Sequence, residues 1–124
     1  MIFGIGLDII EVARVQQKIE KEQGFRELVF GLEEIEYCES KTHKYQHYAA
    51  RFAAKEAFFK ALGTGWVSGT AFNEIMILNS DNGAPKIHLS GSTAQTLSSI
   101  NLSKVKISLS HLAETAAAVV VIEE

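Results

Sequence analysis

From Ala49 to Gly63 the chain reads AARFAAKEAFFKALG, with no helix breaker before the closing glycine. Ala, Leu, Glu and Lys dominate and the large apolar residues recur at helical spacing, which predicts a helix capped by Gly63, with Gly65 following. Phe52, Glu56, Phe59 and Gly63 step along one face of such a helix, and Lys60 stands one turn from Glu56. A carboxylate in line with two aromatic rings is oddly placed for a solvated residue. On one reading, Arg51, Lys55, Glu56 and Lys60 are the charge pattern of a half-exposed helix. On the other, Glu56 is partly buried. That requires a cation or metal beside it, because an unpaired buried carboxylate costs roughly several kcal/mol.

The remaining composition narrows the class. A chain of 124 residues suffices for one domain, 1–124, with one core. Its content of 47% hydrophobic and 22% charged residues is that of a globular protein, not a disordered tail. A lone Cys38 has no partner for an internal disulfide and fits a reducing, cytoplasmic setting. The start of the chain lacks a basic leader region, Asp8 interrupts its apolar run, and no run approaches the roughly 20 apolar residues of a membrane span. With a formal charge of −3, general affinity for nucleic acid is not expected, and an acidic partner needs a local basic patch.

Met1 to Ile10, MIFGIGLDII, reads as a buried strand. Alternation puts Phe3, Ile5, Leu7 and Ile9 on one face, and Ile2, Gly4, Gly6 and Asp8 on the other. Glycine weakens a strand unless another element must approach its backbone, so Gly4 and Gly6 mark the face on which the central helix packs. Asp8 shares that face, with a second reading as the N-cap of the helix that follows. Glu11 to Glu22 is predicted as an amphipathic helix ended before Gly24, with Val12, Val15 and Ile19 inward and Arg14, Lys18 and Lys21 as a basic stripe. Phe25 to Phe30 is a short apolar turn or helix, and Glu33 to Ser40 a further short helix with acidic residues at its start. The polar run Ser40 to His47 carries Lys41, His43, Lys44 and His47. It matches no zinc spacing and reads as a phosphate-facing or solvated loop.

After the Gly65–Gly69 loop the pattern changes to strands. Phe72 to Leu78 and Lys86 to Leu89 flank a turn-rich connection that includes Gly83, Ala84 and Pro85. Ser90 to Ile100 reads as a polar helix, Val105 to Ser110 as an alternating strand, and Ala116 to Ile122 as a continuous buried one. Ser110 and His111 stand at a strand end, where His111 has an alternative as a structural turn residue. The fold class is α+β, antiparallel strands packed around a long central helix.

Gly6-Leu7-Asp8-Ile9 followed by Arg14, and then Arg51-Phe52-Ala53-Ala54-Lys55-Glu56-Ala57-Phe58-Phe59-Lys60, resemble the two signature blocks of the 4'-phosphopantetheinyl transferases. The shortness of the chain, the Gly83-Ala84-Pro85 loop and the late Ser110-His111 resemble the short single-domain branch of that superfamily, the holo-(acyl-carrier-protein) synthases. The likeness runs from Met1 to Ile122. It implies Mg²⁺-dependent transfer (Mn²⁺ in its place) of phosphopantetheine from coenzyme A to a serine of apo-acyl carrier protein. Adenosine 3',5'-bisphosphate is released, and the product serves fatty acid biosynthesis. It further implies a homotrimer with the coenzyme in clefts between subunits.

Residue by residue, the resemblance makes Asp8 and Glu56 the metal ligands, and Asp8, Glu56 and Lys60 the catalytic set. Coenzyme contacts fall on Lys44, Arg51, Phe52, Lys60, Gly63, Gly83, Pro85, Ser110 and His111, and carrier contacts on Arg14, Lys18 and Lys21. The chemistry is coherent. Mg²⁺ typically takes one or two carboxylates plus phosphate oxygens and waters, and phosphoryl-type transfer depends on positioning and charge neutralisation. Glu56 or a metal-held water takes the serine proton. The chain departs from the family where His43, Gln46 and His47 stand in a segment expected to be more basic, and where Gly31-Leu32 lacks a Ser or Thr cap. Two rivals remain at this level: a metal-dependent phosphohydrolase using the same three residues, and a non-catalytic nucleotide- or carrier-binding module.

Overall fold

A computed structural model of the chain describes residues 1–124. It begins with β1 (Ile2–Glu11), α1 (Val12–Glu20), α2 (Phe25–Val29), α3 (Leu32–Glu39) and the long α4 (Lys44–Leu62). The second half supplies β2 (Ile75–Asn79), β3 (Pro85–Leu89), α5 (Gly91–Thr96), β4 (Val105–His111) and β5 (Thr115–Glu123), with 3-10 turns at Phe72–Glu74 and Leu102–Lys104. The architecture is α+β. An antiparallel sheet in the order β1-β5-β4 and a separate β2–β3 hairpin gather around α4.

The central helix begins earlier than its alanine-rich stretch predicts. Lys44 to His47, expected in a loop, form its first turn, and Gly63 closes it in the left-handed conformation with φ of 80°. Ala49, Ala50, Ala53, Ala54, Ala57 and Ala61 are all buried. These small side chains fall on one broad face of the helix and let neighbours approach closely there, and two apolar clusters share this one helix. One joins Phe58 and Phe59 to Ile75, Ile77 and Val120; the other joins Tyr48 to Val15 and Phe30.

Strand β1 lies against α4 by its glycine face, as its pattern predicts: a Cβ at Gly4 or Gly6 would overlap the carbonyl oxygens of Ala61 and Ala57 respectively. The strand is not buried on both sides, however. Phe3, Ile5, Leu7 and Ile9 are 54–69% exposed in the single chain. This open apolar face continues onto β5, where Ile5, Leu7 and Ile9 pair with Val121, Val119 and Ala117. The final strand is correspondingly not a continuous buried one: Ala116, Ala118, Val120 and Ile122 turn inward while the residues between them stay half-open.

The larger departure concerns charge. Lys55, expected among the surface charges of the helix, is fully buried. Its ammonium donates to Glu34 Oε1 at 2.6 Å and to the carbonyls of Val29 at 2.6 Å and Phe72 at 2.9 Å. Glu34, equally buried, also accepts from the amides of Gly31 at 3.0 Å and Ile77 at 2.9 Å. The Gly31 bond supplies from within α3 the start signal that a Ser or Thr cap provides elsewhere. Burial lowers the Lys55 pKa, and the Glu34 charge opposes that shift. Fully satisfied, the pair ties α2, α3, α4 and β2 together. Further along, α5 is shorter than its polar segment suggests. Glu74 takes the Thr93 amide at 3.1 Å and hydroxyl at 2.7 Å to start it, and Ser98 and Ser99, poor helix formers, lie beyond its end.

Candidate active site

The close crossing of β1 over α4 brings Asp8, two residues past Gly6, to the turn of α4 that carries Lys60. The Lys60 ammonium donates to Asp8 Oδ1 at 3.0 Å and to the Leu7 carbonyl at 3.0 Å. Glu11, not Asp8, holds the N-cap position of α1, so Asp8 is left to face the helix. Glu56 stands one turn before Lys60 and is half-buried. Its pKa is raised, first by burial and then by the nearby Asp8 charge, with Lys60 opposing. Two like charges and one ammonium therefore share a small volume. No group of three or more His, Cys, Asp or Glu side chains gathers as a metal cluster, so this pair of carboxylates stands without a third such ligand.

A second group forms where α3, α4, the hairpin turn and β4 meet. Here a cleft of about 240 Å³ is lined by Tyr37, His47, Arg51, Asn79, Gly83, Pro85 and His111, among others. Of the predicted coenzyme contacts, Arg51, Gly83, Pro85 and His111 thus come together. Ser108 lines the cleft and Ser110 does not, although the two share a face of β4. His111 is more than a turn residue: its Nδ1 lies 2.8 Å from Gln46 Oε1, and its ring meets the His47 ring edge to face at 5.0 Å.

Besides Ser110, three predicted contacts fall outside both groups. Lys44 is bound to Glu39 at 3.2 Å and borders other hollows, Phe52 packs between Phe25 and Phe72 at 5.9 and 6.1 Å, and Gly63 ends α4. Conversely Tyr37, His47 and Asn79 line the cleft without having been singled out for it. Only His47, one turn before Arg51, left a trace at helical spacing.

The two groups share α4 but not a face. Arg51 and Lys60 are nine residues apart, which at about 100° and 1.5 Å per residue sets them on opposite sides of the helix and roughly 13 Å apart along it. On α1, Arg14 and Lys18 are exposed, while Lys21 lies just past the helix end. The Lys18 ammonium stands over the Phe25 ring at 5.4 Å.

Residues 4–120 match the family model of the 4'-phosphopantetheinyl transferase superfamily. A holo-[acyl-carrier-protein] synthase of Cytophaga hutchinsonii is 49% identical over 122 residues, covering 97% of this chain and 96% of its own length. The crystal structure of the Neisseria meningitidis holo-[acyl-carrier-protein] synthase matches with a TM-score of 0.87 and 33% identity, over 100% of both chains. That of Helicobacter pylori, solved in complex with coenzyme A, matches with a TM-score of 0.80 and 34% identity, over 96% of this chain and 99% of that one.

Proposed function

The chain belongs to the 4'-phosphopantetheinyl transferase superfamily, among the holo-[acyl-carrier-protein] synthases, and on that footing we propose that it loads an apo-acyl carrier protein from coenzyme A. The 4'-phosphopantetheine group passes to a carrier serine and adenosine 3',5'-bisphosphate leaves, in the service of fatty acid biosynthesis in the cytoplasm. The observation that carries this reading is the meeting of Asp8, Glu56 and Lys60 at the β1–α4 crossing.

Asp8 and Glu56 fit a hard divalent cation, Mg²⁺ or in its place Mn²⁺: both offer carboxylate oxygens, and their mutual repulsion is what a cation relieves. When bound, the ion supplies charge neutralisation at the pyrophosphate. Lys60 gives an ammonium to a phosphate oxygen. As the serine oxygen bonds to phosphorus, the pyrophosphate P–O bond breaks and its electron pair leaves with the nucleotide. Glu56, with its raised pKa, is the group of this chain suited to take the serine proton, and water is the rival acceptor.

Arg51, Gly83, Pro85 and His111 receive the nucleotide end in this reading. Because they face away from Lys60, one coenzyme meets both groups only between two copies of the chain. The open apolar face of β1 and β5 suits that assembly, and a homotrimer is the proposed form. Arg14, Lys18 and Lys21 offer the acidic carrier a positive face beside the metal-bearing strand.

The test is to incubate the protein with coenzyme A, Mg²⁺ and an apo-carrier protein and to weigh the carrier. A carrier heavier by one phosphopantetheine supports transfer. Cleaved coenzyme A with an unchanged carrier points to a phosphohydrolase, and two unchanged reactants to a binding module.

A further inference from the structure

The cleft assigned to the nucleotide end is aromatic and nearly neutral, where a phosphate-binding cleft is cationic. Its fixed positive charge is Arg51, and that side chain is already engaged. It is 2% exposed, stacked 4.2 Å from the Tyr37 ring centroid, and donates from Nη2 to Asn79 Oδ1 at 3.1 Å. Asn79 is held in turn by donating Nδ2 to the Tyr37 hydroxyl at 3.1 Å. The one Arg51 nitrogen without a partner, Nε, is itself covered.

His47 adds no charge at neutral pH. Burial, then the charges of His111, Arg51, Lys41 and His43, lower the His47 pKa to about 4. His111 spends Nδ1 on Gln46. Of the nearby lysines, Lys44 is bound to Glu39 at 3.2 Å, and Lys41 is exposed, with its Nζ 4.6 Å from the Tyr37 ring centroid, where water screens it. Flat rings and Pro85 suit a planar base. On this chain's own side of the site, a dianion finds no open, fixed cation.

We propose that the 3'-phosphate of the donor contributes little to its recognition here, so that 3'-dephospho-coenzyme A serves this chain nearly as well as coenzyme A. The inference rests on the transferase reading, which assigns the nucleotide to this cleft. Asp8, Glu56 and Lys60 act at the pyrophosphate, which is identical in the two donors. The same Ser–O–P bond forms and the same P–O bond breaks, and adenosine 5'-phosphate leaves in place of the bisphosphate. A site that gave the 3'-phosphate two charge-assisted hydrogen bonds would separate the donors by roughly 100-fold or more.

The experiment measures carrier loading from each donor by the full chain with Mg²⁺. The expected result is a similar kcat and a KM ratio within about tenfold. Adenosine 5'-phosphate should also inhibit within about tenfold of adenosine 3',5'-bisphosphate. A gap beyond that, with coenzyme A still used, overturns the inference and leaves the transferase reading standing. Failure to load from coenzyme A itself overturns both. A folded His47→Arg variant, which puts a permanent cation on the cleft wall, should widen the preference for coenzyme A by about tenfold, mainly in KM. An unchanged ratio in that variant overturns the assignment of the nucleotide end to this cleft, on which the inference rests.

Discussion

Gly6 and Ala57 meet backbone to backbone: a Cβ on Gly6 would overlap the Ala57 carbonyl oxygen and lie 2.8 Å from the Ala61 nitrogen. The strand therefore sits as near the helix as two main chains allow. Gly6→Ala should push β1 off α4 and destabilise the fold by about 1–3 kcal/mol or more, the usual cost of overpacking. Gly83→Ala is the contrast. It meets open space but keeps a φ of 85°, a strain of about 1–2 kcal/mol. Chemical denaturation compares the two, and a wild-type midpoint for Gly6→Ala would refute the close-approach account.

Asp8→Asn and Glu56→Gln should each fold and lose turnover by about 100-fold or more, as loss of a charge-stabilising group typically does. Chelation should abolish activity, and Mg²⁺ or Mn²⁺ should restore it. Wild-type rates for either variant at saturating Mg²⁺ would refute the ligand assignment.

The raised pKa of Glu56 gives a stability signature that does not depend on turnover. A carboxyl raised on folding binds its proton more tightly in the native state. Its contribution is full below the unfolded-state pKa and is lost as pH rises through the folded one. In metal-free buffer at neutral pH, Glu56→Gln should therefore melt above the wild type, and the gap should close as pH falls below the ordinary carboxylate range. A gap independent of pH would refute this.

Lys55→Met leaves the Glu34 carboxylate buried without its cation. Breaking a buried pair from one side costs about 3–5 kcal/mol, so the variant should lose a large part of its stability to urea. A loss below about 1 kcal/mol would show that Glu34 simply takes up a proton.

Leu7 is 65% exposed at the centre of the open sheet face. Leu7→Arg should dissociate the proposed trimer to monomers that keep their secondary structure and lose activity. Sedimentation with parallel assays checks this, and a fully active wild-type monomer at assay concentration would refute the assembly itself.

Arg14→Glu should raise the KM for carrier protein several-fold and leave coenzyme A binding nearly unchanged. Salt should weaken the wild type and narrow the difference, since exposed charges act mainly on association and are screened. Equal carrier kinetics at low salt would make the stripe plain solvated surface.

What could be read in advance follows from the range of the interactions involved. The glycine face of β1 and the face of α4 carrying Glu56 follow from periods of two and 3.6 within single segments, and both hold in the fold. Alternation says which residues share a face but not what covers it, so Phe3, Ile5, Leu7 and Ile9 were expected to be buried and are open. Lys55 looked like a surface charge because its partner Glu34 lies 21 residues away on another helix, and only tertiary packing joins them. The other wall of the cleft around Arg51 escaped for the same reason: Tyr37, His47 and Asn79 come from three elements with no common spacing.

The placement of Lys60 and Arg51 on opposite sides of α4 has a genetic consequence. In a closed ring of copies joined head to tail, each cleft takes its catalytic half from one chain and its nucleotide half from the next. Two inactive variants, Asp8→Asn and His111→Ala, should then rescue each other when refolded together. Where a His111→Ala chain supplies the catalytic half and an Asp8→Asn chain the nucleotide half, both halves are intact. Random mixing in equal amounts restores about a quarter of the clefts. Under the proposed assembly, a defect in one allele of this chain should thus be complemented by a defect in another, with neither protein active alone.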